Sequence, residues 1–121
     1  MPTINDLIDR YIDGWNETDG ARRRDLIART WTESASYRDP LMQGDGHSGI
    51  DAMIEQVQQR FPAHRFRRTS AVDVLHDHVR FSWELAADGA PALASGTDFG
   101  VVSSGQRLQS MIGFLDSAPA A

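Results

Sequence analysis

The feature that most constrains this chain is a change of hydrophobic period about halfway along it. Up to Phe61 the apolar residues recur every three to four positions, broken by one short alternating stretch; beyond Pro62 they alternate. A period near 3.6 buries one stripe of a helix, whereas a period of two buries one face of a strand. Ile4, Leu7, Ile8, Tyr11, Ile12 and Trp15 share one helical face, with Asp9, Arg10 and Asp13 opposite. Thr3 with Asp6 resembles a capping box, and Asn16 and Gly20 bracket the stop. A second helix is expected from Ala21 to Arg29, with Asp19 as N-cap and Leu26 and Ile27 inward. A strand from Ser34 to Asp39 ends at Pro40, which cannot donate to a ladder. Gln43 to Gly49 reads as a glycine-rich loop. The third helix follows, with Ser48 and Asp51 as its cap pair and Ile50, Met53, Ile54, Val57 and Phe61 as its stripe. The alternating half predicts strands at His64–Leu75, Val79–Ala86, Ala92–Val102 and Arg107–Leu115, with turns at His76-Asp77, Asp88-Gly89 and Ser103-Ser104-Gly105. Helices followed by a run of strands imply an α+β fold, with three N-terminal helices packed over a curved, mainly antiparallel sheet.

Length and composition narrow the chemistry. The 121 residues suit one domain, expected over residues 1–116, with a short tail at 117–121. No apolar run approaches the ~20 residues that span a bilayer, and charged residues interrupt the first apolar positions. A cytoplasmic protein without membrane contact is expected. The chain has no cysteine, which excludes thiol nucleophiles, disulfides and zinc-thiolate sites. All 12 basic side chains are arginine, which excludes Schiff-base lysines and phosphate-loop lysines. Carboxylate, histidine, tyrosine, serine and arginine remain. A net charge of −5 argues against nucleic acid as partner, and both Arg22-Arg23-Arg24 and Arg65, Arg67, Arg68 read as solvated faces. His76-Asp77-His78 falls at a hairpin turn with no third ligand nearby, so neither a metal nor another cofactor is expected.

Three residues distant in sequence could carry acid–base chemistry. Tyr11 lies on a buried helical stripe, where its hydroxyl needs a partner or a cavity. Asp39 ends a strand and shares a face with Tyr37. Asp98 is flanked on its own face by Gly96 and Gly100, with Ala94 beyond, and such small neighbours suggest room for a ligand. Each has a plainer explanation: Asp39 as a turn-initiating residue before proline, Tyr11 as core, and Asp98 as a buried hydrogen bond tying sheet to helix.

Arg10-Tyr11-Ile12 with Asn16 and Asp19, the pair Asp39-Pro40 closing the first strand, and Asp98 thirteen residues before Met111 together resemble the ketosteroid isomerases. The order of elements is similar to the cone-shaped domain that those enzymes share with SnoaL-like polyketide cyclases and nuclear transport factor two. The resemblance implies that Asp39 shuttles a proton while Tyr11 and a protonated Asp98 stabilise an enolate oxygen. It implies a cofactor-free isomerase, cyclase or lyase acting on a small hydrophobic carbonyl compound. Trp15 stands where the isomerase pattern has a smaller aliphatic residue, which shortens the expected pocket; Trp15, Tyr37, His47 and Trp83 are candidate substrate contacts. His47 is a secondary acid–base candidate, since SnoaL-like cyclases use histidine with aspartate. Leu93, Thr97, Phe99 and Val101 make the opposite sheet face apolar, so a homodimer through that face is expected. A binding module without turnover and a protein-interaction domain of the same fold stay open as alternatives.

Overall fold

The computed structural model describes residues 3–118. Three helices, α1 (Ile4–Asn16), α2 (Gly20–Thr30) and α3 (Gly46–Arg60), close over a strongly curled mixed sheet. Its strands are β1 (Trp31–Arg38), β2 (Gln43–Asp45), β3 (His64–Arg68), β4 (Asp73–Leu75), β5 (His78–Ala87), β6 (Ala94–Val102) and β7 (Leu108–Ser117). The spatial order is β2-β1-β7-β6-β5-β3, and β4 pairs with the remaining end of β5. All pairs are antiparallel except β1 with β7, which run parallel. The half-barrel therefore brings the first strand beside the last, and with it the residues around Asp39 beside the middle of β7. Among the described residues no helix is long and apolar enough to cross a membrane.

Helix α1 forms as its sequence dictates. Thr3 Oγ1 accepts from the Asp6 N–H while the Asp6 carboxylate accepts from the Thr3 N–H, completing the capping box. Leu7, Ile8, Tyr11 and Trp15 are buried from this helix. At its far end the Asn16 amide both donates to the Phe66 carbonyl and accepts from the Phe66 N–H, tying the helix to β3. Asp19 caps α2 as expected, through the Arg22 N–H. The core joins these faces to Ile50, Met53, Ile54 and Val57 of α3 and to Phe81, Leu108 and Met111 of the sheet.

Four local expectations need correction. Gln43 to Gly49 is not loop: Gln43–Asp45 pairs with Tyr37 and its neighbours as β2, and α3 begins at Gly46. Gly46 takes φ +69°, a value glycine adopts freely, and this allows strand to turn into helix without a linker. Ser48 and Asp51 accordingly lie inside the helix and do not cap it. The stretch read as one strand from His64 to Leu75 is two, β3 and β4, separated by residues 69–72, where Ser70 bonds the Ser82 N–H through its side chain. At the other end, β7 runs through Ser117, whose hydroxyl pairs with that of Ser95; residues 119–121 of the expected tail lie outside the described set.

The fourth correction concerns the Arg22-Arg23-Arg24 face. Arg23 is only 3% exposed and pairs with Asp51 at 2.6 Å. Its Nη1 donates to both the Glu17 carbonyl and the Gln58 side chain, and Gln58 in turn donates to the Trp15 and Glu17 carbonyls. One guanidinium thus satisfies the end of α1 and pins α2 to α3. Charge runs hide such a member because nothing local distinguishes it from its solvated neighbours. Removing one partner of a buried pair strands the other charge, so Arg23→Ala should destabilise the fold by about 3–5 kcal/mol in urea unfolding, against under ~0.5 for Arg22→Ala.

Candidate functional site

Between α1, α3 and the concave sheet face lies a cavity of about 340 Å³. This falls at the small end of the ~300–1,000 Å³ typical of ligand sites. Tyr11, Trp15, Tyr37, Asp39, Trp83 and Asp98 all line it. His47 does not: it sits in the first turn of α3 with Nε2 2.8 Å from the Trp31 carbonyl, a structural contact on another side of β1. The secondary acid–base role expected of His47 is therefore set aside.

At the bottom of the cavity, Asp98 is 3% exposed in the middle of β6. Its Oδ2 accepts from the Tyr11 hydroxyl at 2.7 Å and its Oδ1 from the Trp83 indole N–H at 2.9 Å. The two donors come from α1 and from the neighbouring strand β5. Burial pushes the Asp98 carboxyl up to about 7; the Tyr11 and Trp83 hydrogen bonds oppose that rise, and the charge of Asp39 adds to it. Burial and the same carboxylate also raise Tyr11 well above the usual phenol range.

The glycines beside Asp98 have a different purpose from the one their spacing suggests. A Cβ at Gly96 would stand 2.5 Å from Cζ2 and 2.8 Å from Cε2 of Trp83, and one at Gly100 would stand 2.9 Å from the Met111 sulfur. The space is already filled. Gly96 lets the indole lie flat across β6, and that placement aims its N–H at Asp98. Trp83, read from sequence as a candidate substrate contact, lines the cavity and also donates a hydrogen bond to the acid.

Asp39 sits at the cavity wall just past the end of β1. Its Oδ1 accepts from the N–H groups of Leu41 and Met42, at 2.8 and 2.9 Å, and its Oδ2 accepts from the Tyr37 hydroxyl at 2.8 Å. Its own N–H donates to the Met42 carbonyl, closing a tight turn around the carboxylate. Asp39 is therefore both the turn residue that Pro40 advertised and a carboxylate facing a cavity. Burial, with Asp98 and Asp39 nearby, drives the Tyr37 hydroxyl far above its ordinary range, so it remains a donor.

One contributor went unnoticed in the sequence. A methyl at Gly113, the partner of Asp98 on β7, would stand 2.8 Å from the Tyr37 hydroxyl, 3.1 Å from Asp98 Oδ1 and 3.3 Å from the Asp39 Cβ. The two acids and the second tyrosine close over this bare position. An isolated glycine inside the alternating run Met111–Leu115 was the available signal, since strand interiors disfavour glycine unless another group approaches closely. The cavity mouth was equally unforeseen: Leu41 and Met42 on one side, and Gln56, Arg60 and Phe61 from the last turns of α3 on the other.

The model of the SnoaL-like domain matches residues 8–109. A proposed isomerase of the SnoaL-like family from Agrobacterium tumefaciens is 40% identical and superimposes with a TM-score of 0.87, over 92% of this chain and 95% of its own. A proposed SnoaL-like polyketide cyclase from Jannaschia is 20% identical, with a TM-score of 0.73 over 93% of this chain and 85% of its own. A nuclear transport factor two-like protein of unknown function from Cytophaga hutchinsonii is 13% identical, with a TM-score of 0.68 over 96% and 92% of the two chains. The last two establish likeness of fold alone. No curated protein matches the sequence.

The raised Asp98 carboxyl gives a measurable pH dependence of stability. Unfolded, it ionises near 4; folded, near 7. The folded state therefore holds the extra proton, and this contribution is intact below pH 4 and lost as pH rises toward 7. Asp98→Asn removes the titration. Between pH 4 and 8 the variant should gain on the native protein by on the order of 4 kcal/mol, read from paired denaturant curves. A constant offset between the two would contradict the assignment.

Proposed function

Since the chain belongs to the SnoaL-like domain family, we propose that it is a cytoplasmic, cofactor-free acid–base enzyme of the isomerase, cyclase or lyase type. Its substrate is a small hydrophobic carbonyl compound held in the cavity. The observation that carries this reading is the pair of acids in opposite environments on one small cavity. Asp98 is buried with two donors and a raised affinity for its proton; Asp39 is surrounded by three donors at the wall. Acid–base catalysis needs one group to take a proton and another to donate to the oxygen that becomes negative.

In this proposal Asp39 removes a proton next to the carbonyl and returns it elsewhere on the enolate. Tyr11 and Asp98 receive the developing oxyanion. Tyr11 has a single hydroxyl hydrogen, and it points in a hydrogen bond to Asp98 Oδ2. Once Asp98 is protonated it accepts less strongly, and the Tyr11 hydroxyl is released toward a ligand oxygen while the acid offers its own O–H. Trp83 keeps the other oxygen of Asp98 fixed, which limits the acid to one orientation. Tyr37 holds Asp39 in place and Trp15 caps the cavity; both line it, as substrate contacts would. The proton on Asp98 must be present for this arrangement, so turnover should decline as pH rises past about 7.

Solvent deuterium exchange into a bound aromatic ketone, followed by NMR, tests the assignment. Asp39→Asn should slow exchange by about 10²–10⁴, the span general acid–base catalysis supplies, with ketone affinity unchanged. Asp98→Asn, whose amide always donates, should keep part of the activity and lose the decline above pH 7. Exchange that survives Asp39→Asn would favour the second reading, a binding domain without turnover.

Assembly belongs to the same proposal. The convex sheet face exposes Phe99, Ile112 and Phe114, the last 57% exposed, and Phe99 and Ile112 are register partners on β6 and β7. A second copy of the chain would cover this row. Light scattering at micromolar concentration should give a dimer mass, and Phe114→Glu should give the monomer.

A further inference from the structure

The cavity is electrically polarised, and the acid–base proposal does not use that fact. Of the three charged residues that line it, Asp39 and Asp98 stand at the chemical end, and Arg60 stands at the mouth. Arg60 is exposed in the last turn of α3. Among the described residues its guanidinium makes no ion pair and no hydrogen bond; it lies over the Phe61 ring, 5.5 Å from the centroid. Among the described residues eight ion pairs engage eight of the other arginines, so an unpaired one on the cavity rim stands out.

Helix α3 explains how it gets there. Met53, Gln56, Val57 and Arg60 follow one helical face at spacings of three and four, and all four line the cavity. The first and third are buried and form its apolar wall; the second and fourth are exposed and continue the same face outward. One stripe therefore runs from greasy to amide to cationic as it reaches solvent. The aromatic ring beneath the guanidinium restricts its motion and leaves its edge free for an acceptor. Basic residues also suit helix C-termini through the macrodipole, and that ordinary role alone would leave ligand preference untouched.

We infer that the substrate is an amphipathic organic acid: a carbonyl group at one end, an apolar body, and a carboxylate that meets Arg60 at the mouth. This rests on the acid–base reading of the cavity floor. The polarity orders the ligand, because a carboxylate entering first would face Asp39 and Asp98, whereas one trailing meets the cation. In a chain of net charge −5 an anion is otherwise repelled, so a local cation is needed to favour it.

The test compares 3-(4-acetylphenyl)propionate with its methyl ester, which share the aromatic ketone and differ in the charge. Binding is read by quenching of tryptophan emission, since Trp15 and Trp83 line the cavity, and turnover by deuterium exchange beside the ketone. The acid should bind about fivefold more tightly than the ester, the upper range for an exposed ion pair, and the preference should shrink in 0.5 M salt. Arg60→Gln should erase the preference while leaving ester affinity and melting temperature unchanged, and Arg60→Lys should retain most of it. An ester that binds as well as the acid, a preference that survives Arg60→Gln, or no binding of either compound at millimolar concentration would overturn the inference. Selective binding of the acid without exchange would instead leave the substrate class standing and sink the catalytic reading.

Discussion

The hydrogen bond from Tyr11 to Asp98 is the contact on which the rest of this structure turns. It joins residues 87 positions apart, in the middle of the first helix and the middle of a central strand. Both groups are buried, so neither can be lost without leaving the other short of a partner, at a cost of roughly 1–3 kcal/mol. The bond fixes how α1 lies on the sheet, and the cavity is the gap left beside it. Trp83 and Gly96 are arranged around the same carboxyl, and the aromatic neighbours Trp15, Trp31 and Phe81 pack about the Tyr11 ring. A tie of sheet to helix and a proton-holding acid are here one object.

The two aspartates place identical side chains in different environments. Asp98 has little but apolar surroundings and two donors; Asp39 has two backbone N–H groups and a phenol at the edge of solvent. Burial penalises charge on the first. Among the described residues the other titratable groups at the cavity floor are the two tyrosines, and both are held as donors. Among the described residues neither acid forms an ion pair with Arg60.

Much of this was legible in the sequence. Periodicity located every helix and all the long strands, because burying a stripe or a face leaves a mark on consecutive residues. Tyr11, Asp39 and Asp98 stood out as polar groups in apolar or turn-marked settings, and all three line one cavity. What the sequence hid was relational. Arg23 differs from Arg22 and Arg24 only in which neighbours it meets across α3. Gly96 and Gly100 could signal empty space or a space taken by another side chain, and only coordinates distinguish the two. His47 had suitable chemistry but faces Trp31. The short strand β2 lacks enough residues for an alternating pattern, and the positive φ of Gly46 that starts α3 leaves no trace in hydropathy.

The turn that carries Asp39 is closed by its own side chain and backbone, with no contribution from the side chains of Leu41 and Met42. Those two side chains nevertheless form one lip of the cavity, and Leu41 is largely bare to solvent. Selection can therefore rewrite the lip without shifting the carboxylate behind it. In such a scaffold, evolvability is concentrated in two adjacent codons whose divergence reshapes the rim and leaves the carboxylates where they were.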